Sequence, residues 1–202
     1  GMTWVNKGSA NDFATIEDLE AAWGSKGANG YWGLAAADHN NEEIVLTMKY
    51  YGYGQLSRYI RPGYTIIGSN RGNTLCAYDP EGEKAVIVAM NTAASDKTWK
   101  FDLSGFETMG ADITAIRTSG TMEDGEKWAD VTASDNITAD TENRAFTATM
   151  KANSITTYII EGVSGILPEQ EVNNPVVSKI DVSADQVTGG KVWNNGTVNT
   201  PQ

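Results

Sequence analysis

The chain has 202 residues, 40% of them hydrophobic, a formal net charge of −11 and a pI near 4.5. That length holds one or two domains with a real core, and the acidity argues against nucleic acid and anionic membrane, whose phosphates require a basic patch. Neutral partners such as sugars remain open, a membrane span is excluded because no stretch approaches roughly 18 apolar residues, and the single cysteine, Cys76, excludes an internal disulfide.

Taken in chain order, residues 15–23 (TIEDLEAAW) predict a short helix, with Thr15 as N-cap and Asp18 three residues on. Residues 31–37 (YWGLAAA) form a strand-like apolar run that ends in the polar turn DHNN. From Glu42 the period predicts a helix over about 42–60. Val45, Met48, Gly52, Leu56 and Tyr59 would lie on one face, Asn40 or Asn41 would cap it, and Glu42 and Glu43 would suit its positive end. Gly52 and Gly54 cost such a helix about 1 kcal/mol each, so it needs tertiary support. Pro62 stops it, because proline lacks an N–H and pushes Arg61 out of helical geometry.

After Gly63 the period becomes two. Eight short β runs follow: 64–69, 74–78, 85–90, 98–103, 113–118, 127–132, 145–150 and 154–160. AVIVAM (85–90) is apolar on both faces, as a central strand should be. TWKFDL (98–103) alternates, with Trp99, Phe101 and Leu103 inward. The fold class is mainly β, an antiparallel sandwich of about eight strands preceded by a helical segment. The acidic loops around 119–126 and 133–144 are expected in solvent. Residues 164–176 resemble a linker, 177–184 (VSKIDVSA) a strand, and 191–198 (KVWNNGTV) a hairpin fragment with an Asn-Gly turn; residues 164–202 are either the start of a further β module or a tail.

Chemistry is sparse. His39 has no second histidine to share a metal with and reads as a turn residue. Asp135, Asp140 and Glu142 share one loop region but do not match a spaced calcium loop, so no metal or cofactor is expected. No feature selects a carboxylate pair for glycoside hydrolysis. Among the six tryptophans, Trp128 lies beside charged residues and is the best candidate for an exposed, sugar-stacking ring, while Cys76, in the run LCAY, reads as a small buried hydrophobe.

Three motifs carry a resemblance. The run Gly54-Gln55-Leu56-Ser57-Arg58-Tyr59-Ile60-Arg61-Pro62-Gly63, after a Tyr-rich helix, resembles the junction in glycoside hydrolase family 30 where the last helix of a (β/α)8 barrel enters a side β-sandwich. Asn153-Ser154-Ile155-Thr156-Thr157-Tyr158 is similar to that family's final sandwich strand, and YWGLAAAD to the end of the eighth barrel strand in galactanase-like members. The resemblance covers roughly residues 31–163. It implies that residues 1–62 are a barrel remnant, 63–163 the sandwich, and that Tyr51, Arg58, Tyr59, Arg61, Pro62 and Gly63 form a structural joint. The arginines would set their planar forks on carboxylates or carbonyls across that joint, and the tyrosines would fill the seam.

The family's two catalytic glutamates lie on the fourth and seventh barrel strands, ahead of residue 1, and neither Glu42 nor Glu43 matches them. No catalytic residue is therefore expected in this chain, and Trp32, with Trp128, is the candidate to border substrate. The implied function is a non-catalytic C-terminal sandwich that braces the barrel of a retaining β-glycosidase, with carbohydrate as partner; the alternative is a free-standing carbohydrate-binding module. A parent of this kind would be secreted or at the cell surface, although no signal peptide is read at the N-terminus, where Gly1 before Met2 resembles a cloning remnant. The resemblance also implies a vacant sandwich edge, because a strand from ahead of the barrel is missing. Residues 177–184 could fold back to fill it, residues 2–6 could do so, or two chains could self-associate edge to edge; the alternation of VSKIDVSA favours the first.

Overall fold

The computed structural model describes residues 2–5, 34–38, 42–167 and 179–184. In chain order the elements are β1 (Met2–Val5), β2 (Ala35–Asp38), β3 (Glu43–Leu46), α1 (Met48–Ser57), β4 (Thr65–Ser69), β5 (Thr74–Asp79), β6 (Lys84–Asn91) and β7 (Lys97–Asp102). They continue with β8 (Phe106–Thr108), β9 (Ile113–Ser119), β10 (Glu126–Asp130), β11 (Thr138–Asp140), β12 (Ala145–Met150), β13 (Ser154–Glu161), β14 (Ser164–Ile166) and β15 (Lys179–Ala184). All eight β runs after Gly63 are strands, and the fold is mainly β.

β1, β2 and β3 form a small sheet, with β1 parallel to β2 and β2 antiparallel to β3. A parallel pair needs a crossover of a dozen or more residues, which residues 6–34 are long enough to provide. Residues 2–5 thus pair with Ala35–Asp38 and not with the sandwich edge. The larger sheet runs β10-β9-β13-β6-β5-β4-β15-β7-β12-β11. It doubles over on itself. Phe101 of β7 and Phe146 of β12 stack at 4.5 Å, and both pack on Tyr158 of β13, at 5.1 and 5.4 Å. The two arms therefore lie face to face as a sandwich, with β15 at the fold. β15 pairs parallel with β4 and antiparallel with β7, so residues 179–184 of the expected 177–184 strand join the sheet between them.

The core follows the period-two pattern. Trp99, Phe101 and Leu103 are buried, as are Ala85, Ile87 and Ala89 of β6. Val86 and Val88 point to the other face and are buried too, because that face is also covered. Each fully buried large side chain contributes about 1.5–3 kcal/mol by leaving water. Cys76 lies wholly inside, and burial pushes its thiol up to about 12.

The run expected as a linker over 164–176 begins with strand β14, which pairs with β8, and three expectations about the helix need correction. The helix does not begin at Glu42: residues Glu43–Leu46 are strand β3, and Glu42 has φ 55. The β-branched pair Ile44-Val45 suits a strand, and the free side of β2 accepts it. The cap is not Asn40 or Asn41 but the extended Thr47, which makes no side-chain bond to the helix; its Oγ1 and N–H donate instead to the Leu34 carbonyl, at 2.9 and 3.1 Å. The buried face is not the Val45–Tyr59 row. Gly54 and Gln55 face inward, while Leu56 is exposed.

The acidic loops are not simply solvated. Residues 138–140 form β11, and Asp135 is only 2% exposed. The cause is Arg117, which β9 places on its inward row. A buried guanidinium needs counter-charges, and the loops return them: Glu126 binds it through two 2.7 Å bonds, and Asp135 bonds its Nη1. The residues Trp4, Trp23, Trp32, Trp193 and His39, the 15–23 helix and the 191–198 hairpin lie outside the described side chains or residues.

Candidate functional site

Helix α1 lies on the outer face of the β9–β13 sheet, and one polar side chain pins it there. Gln55 is wholly buried. With its amide oriented so that each polar atom has a partner, its oxygen accepts from the Thr118 hydroxyl (2.8 Å) and N–H (3.1 Å). Its nitrogen donates to the Ile116 carbonyl (3.2 Å) and the Thr157 hydroxyl (2.5 Å), and the Thr157 hydroxyl in turn donates to the Gln55 backbone carbonyl at 3.1 Å. A buried amide left unpaired would cost about 1–3 kcal/mol, so these bonds decide which side of the helix faces in.

Trp128 is the second fastener. It is the extra residue of a β-bulge between Lys127 and Ala129, with φ 55. A bulge re-aims one side chain out of the strand's alternation, and this one swings the indole onto the helix. Its Nε1–H donates to the Tyr51 carbonyl at 2.8 Å. The indole reaches the helix only because residue 54 is glycine: a Cβ there would sit 2.1 Å from the Trp128 ring. Tyr50 and Tyr51 pack on the same ring at 5.3 and 5.0 Å, and the Arg58 guanidinium lies over it at 4.7 Å.

The joint residues therefore behave differently from one another. Tyr51 and Arg58 reach across to Trp128. Arg58 meets an aromatic face instead of the expected carboxylate or carbonyl. Arg61 turns back on its own helix, its Nη1 donating to the Ser57 carbonyl at 2.8 Å. Tyr59 is half-buried beside Arg58, and burial raises its phenol above the usual value. The exposed Pro62 and Gly63 make the stop; the Arg61 carbonyl accepts from the Tyr64 N–H at 3.1 Å, a turn in which Gly63 takes φ 102.

Trp128, the tryptophan chosen for exposure, is half-buried at this joint. The composition could not show this, because the bulge that aims it has no sequence mark beyond the KWAD stretch itself. Gln55 was visible in the Gly-Gln-x-Ser-Arg run but carried no pattern that marked it as inward.

A pocket of about 320 Å³ opens beside the joint, bordered by Tyr50, Tyr53, Ser57, Arg58, Arg61 and Trp128, with Leu34 and Gly54. It combines aromatic walls with two guanidinium groups, the chemistry of a small-ligand or domain-contact surface. Other carboxylates hold the backbone: Asp79 accepts from Gly82, Asp102 from Ser104, Asp130 from Thr132 and Asp140 from Asn143, all within turns, while Asp96 accepts from the distant Ala152 N–H at 2.8 Å. Among the described residues no three metal-binding side chains converge, and no helix is long and apolar enough to cross a membrane.

No family model matches the chain. It is 32% identical over 136 residues to an endo-β-1,6-galactanase from Hypocrea rufa, covering 65% of this chain and 27% of that protein. It is 25% identical over 146 residues to an exo-β-1,6-galactobiohydrolase from Bifidobacterium longum, covering 64% of this chain and 10% of that one. Among solved structures it is similar to a family 30 subfamily 8 xylanase from Clostridium acetobutylicum, with a TM-score of 0.48 and 26% identity over 64% of this chain and 30% of the xylanase. The chain thus spans about a quarter or less of the length of these curated relatives. Over its matched residues the chain is similar to a minor part of each of these glycoside hydrolases.

Proposed function

We propose that this chain is the non-catalytic C-terminal β-sandwich region of a retaining β-glycosidase, and that it braces the catalytic barrel. The observation that carries the reading is the weld of α1 to the sheet. Gln55, Gly54 and the bulged Trp128 make the helix and the sandwich one packed body, which is what a brace requires and a tethered module does not. The parent would hydrolyse β-linked polysaccharide outside the cell, and the galactanase and galactobiohydrolase relatives make β-1,6-linked galactan its leading substrate. The division at about residues 62 and 163 belongs to the same reading, with β1–β3 as the barrel remnant.

The second reading is a free-standing carbohydrate-binding module, favoured by the aromatic pocket at the joint. Incubation with β-1,6-galactan, xylan and aryl β-glycosides, followed by reducing-sugar measurement, tests the main one. No turnover is expected. Turnover that disappears on mutation of a carboxylate in this chain would overturn the non-catalytic assignment.

A further inference from the structure

The pocket at the joint has a directional chemistry that bracing does not use. Two rows run along α1 and its last turn at a spacing of four: Tyr50-Gly54-Arg58 and Tyr53-Ser57-Arg61. Residues four apart lie one above another on a helix, so the groove has an aromatic end and a cationic end. Helical bonding continues past Ser57, with the Arg58 N–H on the Gly54 carbonyl and the Ile60 N–H on the Leu56 carbonyl, so the first row keeps helical spacing; Arg61 lies past the last helical bond and is held beside the second row by its Nη1 bond to the Ser57 carbonyl.

The first row is fastened. The Arg58 guanidinium lies over the Trp128 ring at 4.7 Å, and Arg58 is exposed to solvent. The second row is open: Tyr53 is 64% exposed, and Ser57 and Arg61 are exposed. Neither arginine lies within ion-pair distance of a carboxylate among the described residues, in a chain whose net charge is −11. Asp130, whose charge reaches Tyr59, accepts from the Thr132 N–H instead. Arg117, by contrast, holds two carboxylates. At 1.5 Å of rise per residue, Tyr53 and Arg58 are about 7–8 Å apart along the axis, the reach of one sugar ring with a charged substituent.

The geometry points to a subsite for an anionic pyranose: a ring that lies on Tyr53 while its carboxylate or sulfate takes the N–H edges of Arg58 and Arg61. The volume of about 320 Å³ is at the small end of ligand pockets, roughly 300–1,000 Å³, and holds one such unit. Trp128 is a positioning residue that keeps the Arg58 fork in place. The pyranose rests on the carbohydrate setting proposed above; the charge preference rests on the two guanidinium groups alone.

The test uses the full chain, ¹⁵N-labelled and titrated with methyl β-glucuronide, methyl β-galactoside 6-sulfate, neutral methyl β-galactoside and inorganic sulfate. Saturable shifts at the amides of residues 53–61 and at the Trp128 indole N–H are expected with the anionic sugars. Both should bind at least about tenfold more tightly than the neutral galactoside, as a charge-assisted pair implies. If only one anionic sugar binds, it identifies the substituent. Arg61→Ala should lose most of that preference with an unchanged melting temperature, since Arg61 bonds only its own helix, and Tyr53→Ala should weaken both sugars. Equal binding of the neutral galactoside would reduce the site to an aromatic platform and overturn the assignment. Equal binding of inorganic sulfate, or an unaffected Arg61→Ala, would overturn it as well. None of these outcomes bears on hydrolysis, so the bracing reading stands or falls separately.

Discussion

Thr157 and Tyr158 are neighbours on β13, wholly buried on opposite faces of one sheet. Tyr158 faces the inner layer, where Phe101 and Phe146 pack tilted against it in a mainly apolar cluster, with the buried Arg117–Asp135 pair the charged exception. Thr157 faces α1, where the seal depends on a few hydrogen bonds around Gln55 and on the fit of one indole over one glycine. The inner face is held by area, which many residues share. The outer face is held by a handful of geometric details, any of which can fail alone. A sheet can therefore bind its own second layer by pattern and a neighbouring element by particular contacts.

The comparison can be broken first from the inside. Phe101→Ala removes a ring that is 0% exposed and stacked on Phe146, and should cost about 3–5 kcal/mol. Urea denaturation is the measurement, and a loss under about 1 kcal/mol would mean the two arms are not packed as described. Gly54→Ala sharpens the contrast. Alanine is the better helix former by about 1 kcal/mol, yet its Cβ would meet the Trp128 ring at 2.1 Å. Overpacking of this kind costs about 1–3 kcal/mol. Net destabilisation with a displaced Trp128 indole resonance is expected, whereas a more stable variant would show that the weld is loose.

The smallest effect is in the charges at the sandwich end. Hydrogen bonding from Arg117 holds the Glu126 carboxyl down at about 2, against an ordinary 4.5. A depressed carboxylate stabilises the fold above its unfolded value and loses that contribution as pH falls toward the folded one. Stability should therefore fall between about pH 4.5 and 2. Burial acts the other way on Asp135, raising its carboxyl despite Arg117. Glu126→Gln should flatten the acid limb in thermal melts taken across that range, modestly because Glu126 is partly solvated. An unchanged acid limb would assign it to other carboxylates.

Much of the fold was legible without coordinates. Alternation in TWKFDL and the doubly apolar AVIVAM located the inner core, because a side chain's face in a strand is set by parity alone. Gly63 and Pro62 marked the stop because their backbone limits are intrinsic. The Gly-Gln-x-Ser-Arg run was legible too, as a string, and it lies where α1 meets the sheet. What the string did not reveal was which of its residues touches what. Gln55 looked like any helical glutamine, and Asp135 like any loop acid.

The sequence by itself determined that this is an acidic, mainly β chain with a short tyrosine-rich helix ahead of its strands; propensity, period and turn chemistry are local properties of the residues. Only the tertiary structure decided that residues Glu43–Leu46 are a strand, that Gln55 faces inward, that Trp128 bends onto Gly54 and that Arg117 gathers Glu126 and Asp135. Each of these depends on a partner far away in the chain, and the free energy that selects it exists only once both partners are in place.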